Sequence, residues 1–239
     1  MFLVPARRND PEIMDRTDNS ATDLDCALRD LRTINRLLGG RRALLEALSP
    51  YLEEAVATSP VEVLDVGTGS GDLPVAMIEH ARKLGRSLRV TGLELDPTTA
   101  AIATRCTAGY PEIRIVHGDA RALPFARGSF DVVTASLFLH HFEFDDVAHL
   151  LREFRRVARL GVLINDLHRH RVPWGFIALA ARAARFHPMI VHDGPLSVLR
   201  GFTPAELRRV ARTVGARGAI VRRRWPYRLV LTLPGAEAA

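Results

Sequence analysis

The chain has 239 residues, 47% hydrophobic and 25% charged, which is typical of a folded protein with one substantial core. It has no apolar run as long as a membrane span, no secretion-like start and only two cysteines, Cys26 and Cys106, so we expect a cytoplasmic protein without a disulfide framework. The net charge of +6 permits nucleic-acid binding. However, the arginines are scattered apart from the run at 222–224, which favours a solvated basic surface.

Helical spacing of apolar residues marks the first part of the chain. Leucine and isoleucine recur every three or four residues over 24–34, and Gly39-Gly40 predicts the end of that helix. A second helix is predicted from Arg41 to about Ala57, interrupted by Pro50. We expect residues 1–57 to form a helical lid or extension, with residues 1–10 unstructured, like residues 234–239 at the other end.

Strands and helices then alternate. The β-branched runs predict strands at 61–66, 89–95, 113–119, 130–137 and 161–167, and the patterns between them predict helices at 71–84, 97–108 and 145–159. This alternation indicates right-handed crossovers and a parallel sheet with helices on both faces. Residues 168–202 are predicted to be an irregular connection, followed by a helix capped at Thr203. Two runs at 218–225 and 227–233 have no crossover between them and should pair antiparallel.

The loop after the first strand, "LDVGTGSGD" at 64–72, is rich in glycine and lies where parallel sheets bind ligands. A P-loop requires a Lys-Ser or Lys-Thr pair after its glycines, and this chain has Asp72-Leu73. A dinucleotide loop requires a third glycine where Asp72 stands. A negative charge there would compete with a pyrophosphate for the helix N-terminus. Both phosphate-binding interpretations are therefore excluded.

The same loop resembles the first motif of class I S-adenosylmethionine-dependent methyltransferases, and "GLELDP", "HGDARALPF" and "GSFDVVTASLFLHHF" continue the resemblance in order over about residues 60–235. The subtype that it resembles is the bacterial small-molecule methyltransferase of quinone and natural-product pathways, of the ubiquinone/menaquinone type. The resemblance implies a Rossmann-like α/β fold, whose mostly parallel seven-stranded sheet has an antiparallel last strand. Residues 58–239 would form this domain, with a substrate-side insert at 168–202.

The resemblance also implies S-adenosylmethionine as cofactor and S-adenosylhomocysteine as product. Glu94 would bind both ribose hydroxyls, Asp119 and Ala120 the adenine, and Asp65, with Asp72 as a second candidate, would face the ammonium group. The full set of implied cofactor-binding residues is Asp65, Gly67, Thr68, Gly69, Gly71, Glu94, Leu95, Asp119, Ala120, Ser136 and Leu137.

Histidines follow two of the predicted strands and are candidates for proton removal from an acceptor. His140 and His141 follow the fourth strand, and Asp166 at the end of the fifth could orient an imidazole. We slightly favour His141 as the base, while packing or contact with the cofactor remains an alternative role for the pair. His168 and His170 are expected in a solvated loop. No carboxylate-rich set accompanies these histidines, so no metal is predicted.

The apolar and aromatic content of 168–202 favours a flat or greasy small acceptor, such as an aromatic polyketide or a quinone precursor, methylated at oxygen. A methyltransferase acting on RNA or protein stays open because the chain is basic, although nucleic acid is not the expected partner. A non-enzymatic cofactor-binding subunit would require a blocked glycine loop, and this loop is intact. Homodimer formation also stays open.

Overall fold

The computed structural model describes residues 4–55 and 59–235 and contains one seven-stranded sheet. The strands are β1 (Val61–Val66), β2 (Leu88–Glu94), β3 (Ile113–His117), β4 (Phe130–Ser136), β5 (Ala158–Leu167), β6 (Ile220–Arg224) and β7 (Arg228–Pro234). Their spatial order is β3-β2-β1-β4-β5-β7-β6. β7 is antiparallel to its neighbours β5 and β6, so the other six strands share one direction. The predicted Rossmann-like methyltransferase fold is confirmed.

The strand order reverses at β1, which pairs with β2 on one side and β4 on the other. In an open sheet of this kind, connections leave in opposite directions at the reversal and open a crevice at the carboxyl ends of the strands. The glycine-rich loop follows β1 directly, so the fold places it in that crevice.

The helices are α1 (Ala21–Leu37), α2 (Gly40–Glu54), α3 (Asp72–Lys83), α4 (Pro97–Thr107), α5 (Phe144–Val157), α6 (Arg171–Ala183), α7 (Pro188–Arg200) and α8 (Pro204–Thr213). Alternating strand residues divide the core between the two sheet faces. One face packs against α5 and α8, and the other packs against α2 and α3. Within the part of the chain described, no helix has the length and apolar character needed to cross a bilayer.

Three sequence predictions about the backbone are wrong. Pro50 does not interrupt α2, because Leu44, Leu48 and Leu52 on both sides of the proline are fully buried and packing holds the helix together. The end predicted near Ala57 lies outside the described residues. Residues 4–10 are also not unstructured, although they form no helix or strand. Arg7, for example, donates to the carbonyls of Arg200 and Phe142 at 2.8 Å.

The third error concerns 168–202, which holds α6 and α7 instead of an irregular connection. Its prolines and glycines read as helix breakers, but Pro188 occupies the first turn of α7, where a missing N–H costs nothing. Each helix is capped by a histidine: the Nδ1 of His170 accepts from the amide of Val172, and the Nδ1 of His187 from that of Met189. Histidine is not a usual capping residue, so the sequence gives no clear start signal.

The predicted helix cap at Thr203 is present as a full capping box with Glu206. Predicted strand boundaries agree with the structure to within three residues. The division of the chain into a lid at 1–57 and a domain at 58–239 stays a prediction. Within the first part, α1 lines the crevice, whereas α2 belongs to the core.

Candidate active site

A cavity of about 570 Å³ opens at the carboxyl ends of β1, β2 and β4. This volume falls within the roughly 300–1,000 Å³ usual for small-molecule sites. The strand-end loops form one wall, and the segment before α1, α1 itself, α6 and α7 form the other. Of the predicted site residues, those that line the cavity are Gly67, Gly69, Glu94, Leu95, Asp119, Ala120, Leu137, His140 and His141.

The glycine loop is held in a conformation that few other residues adopt. Gly69 has a φ of +56°, and a Cβ there would meet only Cδ2 of Leu28, at an ordinary van der Waals distance of 3.8 Å. A ligand can therefore approach this backbone closely. Gly71 has a different function, because it does not line the cavity and a Cβ there would stand 2.5 Å from Cγ2 of Thr107. Gly71 allows α3 to begin tightly against α4.

Glu94 at the end of β2 holds the loop. One of its carboxylate oxygens accepts from the amide of Gly69 at 2.9 Å, and the other accepts from the amides of Leu95 at 2.9 Å and Asp96 at 3.3 Å. Burial raises the pKa of Glu94, and these amides partly offset the shift. The carboxylate therefore lies in the cavity wall, oriented by the backbone and able to accept further hydrogen bonds.

The remaining strand ends complete this wall. Asp119 is half-exposed, and its Oδ1 accepts from the amide of Arg121 at 2.8 Å, while Ala120 is buried beside it. Leu137 directly after β4 has a φ of +53°, which is unusual for a leucine and turns the chain towards the histidines.

Four predicted contact residues lie behind the wall instead of in it. Asp65 is buried and accepts hydrogen bonds from the hydroxyls of Thr68 at 2.8 Å and Thr134 at 2.7 Å. Burial raises its pKa to about 7. Ser136 is also buried and its hydroxyl accepts from Nδ2 of the Asn165 side chain at 3.3 Å, and Gly71 faces α4. Asp65 and Thr68 thus support the loop, and neither they nor Asp72 line the cavity.

The structure brings His140 and Asp166 together. Nδ1 of His140 lies 2.7 Å from Oδ1 of Asp166, and the backbone amide of His140 donates to the same carboxylate at 3.2 Å. Both side chains are buried. Burial alone would raise the pKa of Asp166, but the charge of His140 and its hydrogen bond lower this pKa. An ionised carboxylate can only accept a hydrogen bond, so Asp166 fixes the proton of the neutral His140 imidazole on Nδ1 and leaves Nε2 unprotonated.

His141 has a different partner. Its Nδ1 lies 2.9 Å from Asp15, which belongs to the segment before α1. Burial lowers the pKa of His141, but the hydrogen bond to Asp15 and the negative charges of Glu12 and Asp15 outweigh it and raise the pKa. His140 is oriented by the fully buried Asp166 at the end of β5, whereas His141 is held by the partly exposed Asp15, so the geometry favours His140 over His141 as a proton acceptor.

No pattern in the sequence indicated a role for Glu12 or Asp15. Glu12 is buried, with its Oε1 at 3.6 Å from Nε2 of His140 and accepting from the hydroxyl of Ser197 at 2.9 Å. Arg200 holds this arrangement by donating to the carbonyls of His140 and His141. These contacts join residues 59 to 185 positions apart, so no local pattern could have revealed them.

Glu12, His140 and His141 could chemically hold a divalent cation. Among the described residues they form a group whose ligand atoms all lie within 4.8 Å of one another. The prediction of no metal assumed that the histidines lack carboxylates, and that assumption is wrong. However, the charge of the Glu12 carboxylate is already offset. Oε1 of Glu12 accepts from the Ser197 hydroxyl and lies 3.8 Å from Nε of Arg200. The metal-free site stays a prediction.

His168 and His170 lie outside the cavity wall. The expected solvated loop is wrong for His168, which is buried on an isolated bridge to Phe202, whereas His170 is partly exposed in the loop before α6 and caps that helix. Burial lowers the pKa of His168 to about 4, and the positive charge of Arg223 adds to the shift.

Comparison with known proteins agrees with this geometry. Residues 64–164 match the family model described as "Methyltransferase domain". Demethylmenaquinone methyltransferase of Chlorobaculum parvum is 39% identical over 100 residues, covering 42% of this chain and 37% of that protein. The Bacillus licheniformis enzyme of the same name is 34% identical over 98 residues, covering 41% and 40%. The chain thus matches about two fifths of the length of these curated relatives.

Solved structures share the fold at low sequence identity. Human N-acetylserotonin methyltransferase superposes with a TM-score of 0.64 at 16% identity, covering 90% of this chain and 56% of that one. A SAM-dependent methyltransferase from Aquifex aeolicus gives 0.61 at 15% identity, covering 90% and 98%. The chain therefore shares the fold of these solved methyltransferases, and the part of it that matches the methyltransferase domain model is residues 64–164.

Proposed function

We propose that this protein transfers a methyl group from S-adenosylmethionine to a small apolar acceptor, most simply a phenolic or quinol-like hydroxyl. The observation that carries the proposal is one cavity that contains both a class I cofactor wall, with Gly69 and Glu94, and the His140–Asp166 pair. The relatives named for demethylmenaquinone support a quinone-type acceptor.

The wall fits the cofactor. Gly69 leaves space that a Cβ would fill, and Glu94 presents an oriented carboxylate suited to a pair of ribose hydroxyls. Asp119 and Ala120 would bind the adenine, with Leu95 and Leu137 in contact beside them. When bound, the cofactor supplies an electrophilic methyl group. The protein therefore needs to align the acceptor and remove its proton.

His140 would remove that proton. Asp166 fixes the Nδ1 proton, so Nε2 is the atom that accepts the proton from the hydroxyl. The imidazolium that forms would lie between Asp166 and Glu12, both negatively charged, which stabilises it. Ionising a phenol in this way activates its oxygen and also its ring carbons, so the same base serves methylation at either atom.

The acceptor wall is apolar. It consists of side chains of the segment before α1, of α1 and of α6 and α7, among them Met14, Leu24, Leu28, Leu31, Ile34, Leu38, Ile177, Ile190 and Val198. Such a surface favours a flat hydrophobic molecule over RNA or a protein segment, whose recognition requires phosphate or main-chain contacts. The reduced Cys26 and Cys106 support the proposal that the reaction occurs in the cytoplasm.

The test uses methyl-labelled S-adenosylmethionine with an alkylated naphthohydroquinone, a simple alkylphenol, total RNA and a protein extract as separate acceptors. We expect label in a phenolic or quinol product, and nuclear magnetic resonance of that product distinguishes a methoxy group from a ring methyl group. Label only in RNA or protein would contradict the proposal. The His141→Ala variant should retain more activity than His140→Ala, which reverses the preference drawn from sequence.

A further inference from the structure

The outer face of α6 is apolar and exposed. Val172, Phe176 and Leu179 lie at positions i, i+4 and i+7, on the side of the helix opposite the buried Ile177 and Ala181. Their exposed fractions are 51%, 56% and 72%. The helix therefore has two apolar sides, and one of them has no partner within the described chain.

The same helix forms the wall of the cavity. Pro173 and Ile177 line the cavity from within. The turn between β6 and β7 lies at the N-terminal end of α6, where the ring of Tyr227 is 5.0 Å from that of His170, the capping residue. In this turn Trp225 is 85% exposed, while Tyr227 lines the cavity. The exposed Val172 and Trp225 are thus each one residue along the chain from a cavity-lining residue, Pro173 and Pro226.

Positive charge surrounds this surface. Residues 168–192 contain no aspartate or glutamate. The exposed Arg171, Arg182 and Arg185 take part in no ion pair among the described residues. Near the other end of the surface, Arg223 is exposed and close enough to His168 to shift its titration. Arg223 therefore adds positive charge near this surface, whereas Arg224 pairs with Glu46 at 3.4 Å.

We propose that the outer face of α6, together with Trp225, docks the protein on an anionic phospholipid bilayer. An amphipathic element with tryptophan, phenylalanine and leucine on one side and arginines beside them is suited to the boundary between head groups and acyl chains. A second copy of this chain fits less well, because a two-fold contact through this face would place arginines against arginines with no acid to pair them. The docked surface would bring the cavity rim to the membrane.

The test needs neither cofactor nor acceptor, so it is independent of the proposed function. Vesicles of phosphatidylcholine alone and vesicles containing phosphatidylglycerol are mixed with the protein and separated by flotation. We expect binding to the anionic vesicles that weakens as salt is raised. In Trp174→Phe, Trp225 is the one tryptophan left in the chain, and its emission should shift to the blue on binding.

Phe176→Ser and Leu179→Ser should each lower the vesicle partition coefficient by about tenfold, because each removes a large apolar side chain from the docked face. The matched control is Leu160→Ser, which changes an exposed leucine near the start of β5, away from the cavity, and should leave binding unchanged. Equal binding to neutral and anionic vesicles, or no binding at all, would overturn the proposal. So would sedimentation showing a dimer that the same two α6 substitutions dissociate.

Discussion

Replacing Glu94 by glutamine separates cofactor binding from folding. The carboxylate accepts from three backbone amides, and glutamine keeps one oxygen for Leu95 and Asp96 while its NH₂ group faces the amide of Gly69. Losing that acceptor costs the loop about 1–3 kcal/mol. A second effect of the substitution is stabilising. Burial raises the pKa of Glu94, so at a pH above the pKa of the unfolded chain the ionised carboxylate destabilises the folded state. The neutral amide of glutamine removes this cost. The free energy of unfolding should therefore change by less than about 2 kcal/mol.

Cofactor binding should suffer much more. If both ribose hydroxyls donate to the carboxylate, converting two charged hydrogen bonds into one neutral bond and one mismatch costs roughly 1.5–3 kcal/mol. This corresponds to a roughly tenfold to 150-fold rise in Kd. Isothermal titration with S-adenosylhomocysteine gives the Kd, and urea unfolding gives the stability.

The matched control is Glu62→Gln. Glu62 lies on β1 and pairs with Arg89 at 3.2 Å on the surface, so its loss should change Kd less than about twofold and stability by less than about 1 kcal/mol. An unchanged Kd in Glu94→Gln would refute the assignment of the ribose contact. A Glu94→Gln protein that unfolds while its remaining folded fraction binds normally would show that Glu94 is structural.

Four further outcomes are expected. His140→Ala should lower the single-turnover rate by about 10²- to 10⁴-fold and leave the Kd for the cofactor unchanged. Adding Asp166→Asn to His140→Ala should not multiply that loss, and additive effects would show that the two residues act separately. Since the pKa of Asp65 is raised to about 7, its contribution to stability should be lost as pH rises from about 4 to about 7. Asp65→Asn should flatten this pH dependence in urea titrations at pH 5 and pH 8, and an equal pH dependence in both proteins would contradict the raised pKa. Gly71→Ala should destabilise the fold by about 2 kcal/mol through its left-handed φ and its contact with Thr107, and Thr107→Ser, which removes Cγ2, should restore part of the loss. Dialysis against a chelator should leave the methyl-transfer rate unchanged, whereas a loss restored by one added metal would show that the histidines bind it.

The placement of the glycine loop and Glu94 at one edge of the sheet could be predicted from the sequence, because strand alternation brings the carboxyl ends of parallel strands together. Their roles towards the cofactor were implied by the resemblance to class I methyltransferases and stay a prediction. The same reasoning could not show that Asp65 and Thr68 support the loop from behind instead of lining the cavity. One residue of difference in position decides whether a side chain faces the cavity or the core.

The acceptor half could not be predicted because it depends on contacts between distant segments. Glu12 meets His140 across 128 positions, and only the folded chain shows which histidine is paired with Asp166. The helices α6 and α7 were not predicted from the sequence for a different reason. Their starts are capped by histidines, and Pro173 and Pro188 fall in first turns, where proline is tolerated, while Pro195 lies inside α7.

The two halves also differ in how they can change during evolution. The residues proposed to hold the cofactor come from one continuous stretch between β1 and β4, whereas the apolar acceptor wall comes mainly from segments before and after the matched domain. Substitutions in α1, α6 or α7 can therefore reshape the acceptor space without altering the glycine loop or Glu94. A lineage with this architecture can diversify its chemistry towards new hydrophobic molecules while its source of methyl groups stays fixed.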